Sequence, residues 1–221
     1  MNDILALLQP NQNSLSKTAL KQMSRVIVAL IAMTGRVTML GLSRWAEKGG
    51  SYRTIQRFFY KAIPWSQVFW DFMHEHLFDP TDTYLLAGDE VVVTKAGEKT
   101  FGKDNFFSGL LKKVVPGISF FGLSLVSVKR RRSYPLRLEQ TVRSAEEKLA
   151  NQVKKEVKKV NAGGEKRKRG RPKGSHNKEK VEVVLNPELE RLQKMIHAAL
   201  GTIHKGMKIS YVLLDGHFRL P

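Results

Sequence analysis

Apolar side chains recur with a helical period through the first 80 residues of the chain. The stripe of the first predicted helix comprises Leu15, Leu20, Met23, Ile27, Leu30 and Ile31, and Gly35 is a natural stop behind it. The same periodicity predicts three further helices: Met39–Lys48 before Gly49-Gly50, Tyr52–Tyr60 with Ser51 as its N-cap, and one that begins at Pro64. The pattern therefore predicts a helical region over residues 1–80.

The pattern changes to that of strands between Thr83 and about Gln140. Predicted strands include Val91–Val93 and Phe120–Val128, and Tyr134, Leu136 and Leu138 alternate with polar neighbours in a half-buried strand. The glycine- and lysine-rich stretch Thr94–Gly117 predicts a long basic loop or hairpin.

Helical and strand patterns return near the end of the chain. Asn186-Pro187 opens a predicted helix that Gly206 ends, and its inward positions are Leu189, Leu192, Met195, Ile196 and Ala199. A strand over Met207–Asp215 follows. Residues 81–221 are therefore predicted to form one α/β unit behind the helical region.

Residues 143–185 interrupt this unit with a basic insertion. Between positions 143 and 180, fourteen Lys and Arg oppose five Glu, which leaves a charge of +9, half of the +18 that the whole chain carries. Leu149, Val153, Val157 and Val160 form a weak helical stripe at its start. Residues 161–180 are expected to be disordered in isolation, because they combine high charge with few apolar side chains.

Composition narrows the class of protein. A chain of 221 residues with 42% hydrophobic residues can form a packed core, and its lack of cysteine excludes disulfides and thiolate metal ligands. The longest apolar run, Val26–Met33, is too short to cross a bilayer, and the N-terminus lacks the features of a signal peptide. We expect a cytoplasmic, nucleoid-associated protein with no membrane partner, since the excess of basic residues points to a polyanion such as nucleic acid.

Two segments are candidates for binding double-stranded DNA. Arg53, Gln56 and Arg57 share one face of a predicted helix behind a glycine turn, which is typical of a helix-turn-helix that enters the major groove. A solvated polar face is the alternative. The second segment resembles an AT-hook, in which arginines lie along a narrow A·T minor groove, although a generic basic linker would have a similar composition. It consists of Lys166, Arg167, Lys168, Arg169, Gly170, Arg171, Pro172 and Lys173.

Asp89 and Asp215 each stand at the end of an apolar run, Tyr84–Gly88 and Tyr211–Leu214. A carboxylate beside a buried strand is costly unless it has a use there, and divalent cations are the usual one. The order of a strand with a carboxylate, two strands, a helix and another such strand resembles a ribonuclease H-like core. Neighbouring parallel strands would then bring both carboxylates together. Alternatively both are ordinary strand-end residues, because Asp-Gly is a common turn signal.

These motifs together resemble a DDE-type bacterial insertion-sequence transposase with an insertion before the second aspartate. The resemblance lies in Ala87–Gly97, Gly122–Val126 and Leu213–Phe218. It implies that Asp89 and Asp215 are catalytic carboxylates that bind Mg²⁺ or Mn²⁺. It also implies that the element's terminal repeats and target DNA are the partners, with a homodimer possible.

The resemblance also implies a third carboxylate, a Glu well downstream of the second aspartate. No Glu follows Asp215 here, so we expect a C-terminally truncated or frameshifted transposase that does not cleave DNA alone. The expected fold is a helical DNA-binding region followed by an incomplete ribonuclease H-like mixed sheet. A non-enzymatic DNA-binding or architectural protein is the alternative function.

Overall fold

The computed structural model describes residues 2–46, 50–161, 185–203 and 207–215. It confirms the predicted α/β class, with helices at the N-terminus and a mixed sheet behind them. The helices are α1 (Asn2–Leu7), α2 (Lys17–Ala32), α3 (Met39–Trp45), α4 (Tyr52–Phe59), α5 (Trp65–His76), α6 (Ala145–Asn161) and α7 (Pro187–Thr202). The strands are β1 (Tyr84–Thr94), β2 (Asp104–Ser108), β3 (Lys113–Ser127), β4 (Arg132–Thr141) and β5 (Ile209–Leu214).

The chain divides into two compact units. One comprises residues 1–86, 124–137 and 199–211, and the other comprises residues 87–123, 138–198 and 212–221. The first unit contains the N-terminal helices and one end of strands β1 and β3. The second unit contains the remainder of those strands and both candidate aspartates.

Helix α2 is the centre of the helical core. Ser16 caps it by accepting a hydrogen bond from the backbone N–H of Ala19, and Gly35 behind it has a φ of 87°, in the left-handed region that glycine favours. Its buried side chains are Ala19, Leu20, Met23, Ser24, Val26 and Ala29. The apolar stripe is not buried over its whole length, because Leu30 is 43% and Ile31 is 73% exposed.

Helices α3 and α4 pack against each other and against α2. Helix α3 ends at Trp45 with Ala46 already extended, so the predicted continuation to Lys48 was wrong. Ser51 caps α4 as predicted, and its hydroxyl accepts a hydrogen bond from the N–H of Thr54 at 3.4 Å. Ile55 and Phe58 bury one face of α4, whereas Phe59 is 46% exposed.

The sheet has the strand order β2-β3-β1-β5, and β4 pairs with β3 beside this path. Strands β2 and β3 form an antiparallel hairpin. A hairpin was one of the two predictions for the basic stretch Thr94–Gly117. The carbonyl of Thr83 accepts a hydrogen bond from the N–H of Val128 at one end of β1, and the carbonyl of Val93 lies against Gly117 at the other end. Strands β1 and β3 are therefore antiparallel. A four-residue turn joins β3 to β4. The sheet is mixed, which means that it contains both parallel and antiparallel pairs. Because the other pairs are antiparallel, β1 and β5 form the parallel pair.

Two strand predictions need correction. Leu136 of β4 is buried, but Leu138 is 66% exposed, so the half-buried stripe does not extend along the whole strand. The apolar run before Asp215 was expected to be a buried strand, yet Tyr211, Val212 and Leu213 are all exposed. Strand β5 stands at the end of the strand order, so only one of its edges pairs within the described sheet.

Helix α7 forms as predicted, and the side chain of Asn186 caps it by accepting a 2.8 Å hydrogen bond from the N–H of Leu189. Leu189, Leu192, Met195 and Ala199 are buried. Helix α6 also forms, with Leu149, Val153 and Val157 exposed, and Glu147 in its first turn pairs with Arg191 of α7. No helix in the described ranges combines the length and apolar character that crossing a bilayer requires.

Candidate active site

Asp89 lies in the middle of β1, where the strand changes from buried to exposed positions. Tyr84 and Leu86 are almost completely buried, and Asp89 is the first exposed residue of the strand. One carboxylate oxygen of Asp89 accepts a 2.8 Å hydrogen bond from the N–H of Glu90. The buried half of the strand thus fixes the backbone, while the carboxylate remains accessible to solvent and solutes.

Gly88, directly before Asp89, is where β1 touches β5. A Cβ atom at Gly88 would lie 2.7 Å from Cζ of Phe121 and 2.8 Å from Cδ2 of Leu214. Such distances are shorter than carbon atoms tolerate, so only glycine allows the two neighbouring side chains to approach this closely. Leu214 directly precedes Asp215. The two residues that precede the aspartates are therefore neighbours in the sheet.

Asp215 follows the last residue of β5 and is exposed. Side chains alternate between the two faces of a strand, so Asp89 lies on the face opposite to Gly88. Neither aspartate forms an ion pair with a basic side chain within the described residues.

Glu90 follows Asp89 on β1 and therefore lies on the opposite face of the strand. Its carboxylate accepts a hydrogen bond from the hydroxyl of Ser119, which is completely buried on β3. Glu90 also lines a small cavity together with Phe121, Arg191 and Met195. It therefore lies on the side of the sheet that α7 covers, which separates it from the two aspartates.

The carboxylate oxygens of the two aspartates would suit a hard cation that takes few ligands from the protein. Among residues 2–46, 50–161, 185–203 and 207–215, no group of three or more His, Asp and Glu side chains could hold a metal ion. Two carboxylates nevertheless match Mg²⁺, which is commonly bound by one or two carboxylates and completes its octahedron with water and substrate phosphate. The described residues thus fit an ion shared with substrate, not an ion enclosed by protein.

Arg53, Gln56 and Arg57 lie together on the outer face of α4. Arg53 and Arg57 are exposed, Gln56 is half-buried, and Arg53 donates a 3.3 Å hydrogen bond to the side-chain oxygen of Gln56. Ile55 and Phe58 on the opposite face attach the helix to its neighbours. The predicted basic face is therefore on a packed helix, in a position where solutes can reach it.

The AT-hook-like residues Lys166–Lys173 lie outside the described residues, as do Gly206 and His217. The described part of the basic insertion is its first helix, α6.

A basic turn joins β3 to β4 and contains Lys129, Arg130 and Arg131. The side chain of Asp82 accepts hydrogen bonds from the Ser127 hydroxyl and from the backbone N–H of Lys129, and Asp79 pairs with the Lys129 ammonium at 3.1 Å. Hydrogen bonds from Thr81 and Lys129 lower the pKa of Asp79 from 3.8 to about 2. Consecutive basic residues between strands would have been the sequence signal.

A cavity of about 470 Å³ lies in the first unit, and its lining residues are distant in sequence from both aspartates. Apolar and aromatic side chains such as Phe58, Trp65, Phe69 and Met73 line it, and no acidic side chain is among the described residues of its lining. It lacks the groups that phosphodiester chemistry requires, so it is not a candidate active site.

An α/β fold with a helical N-terminal region and two exposed carboxylates, one on β1 and one directly after β5, is compatible with the general class of metal-dependent phosphodiester enzymes. Within that class the chain belongs to the DDE superfamily endonuclease family, whose profile matches residues 12–220. This confirms the predicted relationship to DDE-type transposases. Family members generally use divalent metal ions and act on DNA. No curated protein and no solved structure shows significant similarity to the chain.

Proposed function

We propose that the chain is an insertion-sequence transposase component in which Asp89 and Asp215 together bind a divalent cation, Mg²⁺ or Mn²⁺, at the site of DNA strand cleavage and joining. The observation that supports this most directly is the contact between Gly88 and Leu214. Each of these residues directly precedes one of the aspartates, and the two aspartates are separated by 125 residues in sequence.

The roles of the side chains follow from their positions. The exposed carboxylates of Asp89 and Asp215 bind the cation from one face of the sheet and leave its other positions to water and a DNA phosphate. The bound ion would activate the attacking water or 3′-hydroxyl and stabilise the leaving oxygen. Glu90 is held by Ser119 on the other face and serves the packing of the sheet instead.

DNA binding would come from the helical region and the basic insertion. We propose that residues 1–80 form the region that binds the element's terminal repeats, with Arg53, Gln56 and Arg57 of α4 at the major groove. Within the insertion at 143–185, Lys166–Lys173 would bind an A·T-rich minor groove. Assembly on paired element ends as a homodimer, in association with the nucleoid, is part of the same proposal.

Iron-mediated cleavage of the chain itself tests the metal site. Fe²⁺ takes the place of Mg²⁺ at many carboxylate sites, and with ascorbate and peroxide it generates radicals that cut the nearby backbone. We expect two cuts, one near residue 89 and one near residue 215, and excess Mg²⁺ should suppress both.

The variants make this test specific. Asp89→Asn should remove the cut near residue 215 as well as its own, and Asp215→Asn should do the converse, because one ion uses both ligands. Glu90→Gln, on the other face of the same strand, should leave the cuts unchanged. If the cut near residue 89 persisted in Asp215→Asn, the shared site would be wrong.

A non-enzymatic DNA-binding or architectural role is the second candidate. It is favoured by the exposed Arg53 and Arg57 on α4, which would bind DNA without a metal ion. Under this alternative the aspartates are structural. Calorimetric titration of Mg²⁺ would then give the same result for the wild type and for Asp89→Asn combined with Asp215→Asn, while DNA binding would remain.

A further inference from the structure

The geometry points to a second DNA contact in the β2–β3 hairpin: we propose that its tip inserts Leu110 between base pairs of a DNA duplex, with Lys112 and Lys113 on the adjacent phosphates. The inference rests on the proposed function, because it takes DNA as the substrate. It concerns residues that are separate from the aspartates, from α4 and from the basic insertion.

The hairpin is an ordered structure up to its tip. Five antiparallel pairs join β2 and β3, from Asp104 with Gly117 to Ser108 with Lys113. The N–H of Leu111 donates a 3.2 Å hydrogen bond to the Ser108 hydroxyl, and Lys112 turns the chain with a φ of 52°. Leu110 therefore projects from a closed turn.

One face of the hairpin is anchored to the remainder of its unit. Phe106 is buried, and the guanidinium of Arg143 lies 4.4 Å from the centre of its ring. Arg143 also donates hydrogen bonds to the carboxylate of Asp104 and to the carbonyl of Asn105. These interactions attach β2 to the segment that follows β4 in sequence. Because the hairpin is already ordered, binding costs less conformational entropy.

The other face and the tip expose large apolar side chains. Phe107 and Val114 form a cross-strand pair and are 60% and 59% exposed, while Leu110 at the tip is 92% exposed. Strand pairing prevents these side chains from turning inward, because their neighbours Phe106 and Val115 already occupy the buried face. A contiguous exposed apolar surface on an ordered element indicates an interaction site.

The basic side chains beside this apolar surface indicate which kind of partner it binds. Lys112 and Lys113 are exposed and directly follow Leu110 and Leu111, so two apolar and two cationic side chains are adjacent within four residues. Proteins that kink DNA combine these elements: a Leu, Phe, Ile or Met side chain enters a base step while basic side chains neutralise phosphates. DNA satisfies both parts of the surface, whereas an apolar protein partner would bury the lysines without compensation.

The position of the hairpin relative to Asp89 supports a shared duplex. Gly117 at its base packs against the carbonyl of Val93, four residues beyond Asp89 on β1, or about 13 Å along the strand. The N–H of Lys95 also bonds to the carbonyl of Pro116. The hairpin thus begins at the end of β1 that follows the aspartate, within reach of the same DNA segment.

Fluorescence of 2-aminopurine tests the insertion on the full chain. The probe is a mixed-sequence duplex rich in TA and CA steps, with 2-aminopurine in place of several adenines, because such steps unstack readily. We expect binding to raise the fluorescence several-fold. Leu110→Ser should abolish this rise while weakening affinity by less than about tenfold, since interactions with phosphates supply most of the binding.

Two comparisons make the result decisive. Leu138→Ser removes an equally large, 66% exposed leucine from β4 and should behave as the wild type. Lys112→Gln with Lys113→Gln should lower the slope of log affinity against log salt by about 1.8, at about 0.9 for each phosphate that a lysine no longer neutralises. Both hairpin variants should retain the circular dichroism spectrum of the wild type.

Other outcomes would overturn the inference, and they separate it from the proposed function. If the wild type binds DNA without a rise in fluorescence, or if Leu110→Ser shows the same rise, the insertion is wrong and DNA binding stands. If the wild type binds no duplex at all, both proposals fail. If Leu110→Ser instead abolishes self-association and leaves DNA binding unchanged, the surface is an interface between copies of the chain.

Discussion

Gly88 of β1 lies against Leu214 of β5, so closely that a Cβ atom on Gly88 would be 2.8 Å from the leucine methyl group. Each of these residues immediately precedes an aspartate, and both are on the same face of the sheet. The approach is possible because glycine has no side chain to displace the end of the Leu214 side chain. Pairing of β1 with β5 thus brings together the two residues that precede the aspartates, although they are remote in sequence.

Replacing this glycine should disturb both the stability and the metal site. Gly88→Ala adds a methyl group that overlaps Phe121 and Leu214, and overpacking of this kind costs about 1–3 kcal/mol. Urea denaturation should show the reduced stability, and calorimetry should show weaker Mg²⁺ binding. Gly122→Ala on β3 is the matched control, because its nearest atom would be an ordinary 3.6 Å away. Equal stabilities for the two variants would contradict the close approach of the two strands.

Acid should weaken the interaction between Asp79 and Lys129 of the β3–β4 turn. The pKa of Asp79 is lowered to about 2 by hydrogen bonds from Thr81 and Lys129, so its ionised form is favoured by folding. Its contribution to stability is complete above the unfolded pKa near 3.8 and is lost as the pH falls through about 2. Urea denaturation at several pH values should show this decline.

Asp79→Asn should flatten that part of the pH profile, because the substituted side chain does not titrate. Glu98→Gln, a substitution of an exposed carboxylate on the loop behind β1, serves as the control for removing one acidic group. A profile of Asp79→Asn that declines as steeply as that of the wild type would show that other carboxylates account for the decline.

The outer face of α4 should contribute to DNA affinity. Arg53→Ala with Arg57→Ala should weaken binding and lower its logarithmic salt dependence by about 1.8, if each arginine neutralises one phosphate. If the arginines read guanine edges instead, the weakening should depend on sequence and amount to about 1–3 kcal/mol for each base that is read. Fluorescence anisotropy over a salt series measures both. Lys194→Ala, on the exposed side of α7, should have little effect.

The basic insertion should carry a preference for A·T-rich DNA. Deleting residues 161–180 should reduce affinity for an A·T-rich duplex more than for a G·C-rich duplex of the same length, because arginine enters a narrow minor groove favourably. Arg169→Lys with Arg171→Lys keeps the charge but removes the guanidinium groups. If this variant retains the wild-type preference, the segment is a general basic linker and not a hook.

Most of the local structure was predictable because its determinants are close together in sequence. Helix α4 follows from Ser51, which caps it, and from the spacing of Ile55 and Phe58. Helix α7 follows from Asn186 and from an apolar stripe of period 3.6. The misjudged side chains, such as Ile31 and Leu138, have the correct period. Their exposure depends on whether another element covers them, and the periodicity contains no information about that.

The sequence by itself determined the helices, the strands, the basic character of the chain and the two candidate aspartates. Only the tertiary structure decided that β5 lies beside β1, that Gly88 touches Leu214, and that the hairpin presents Leu110 to solvent. The physical reason is that periodicity and capping act over a few residues along the chain. Strand order and close approaches depend instead on packing between segments that are distant in sequence.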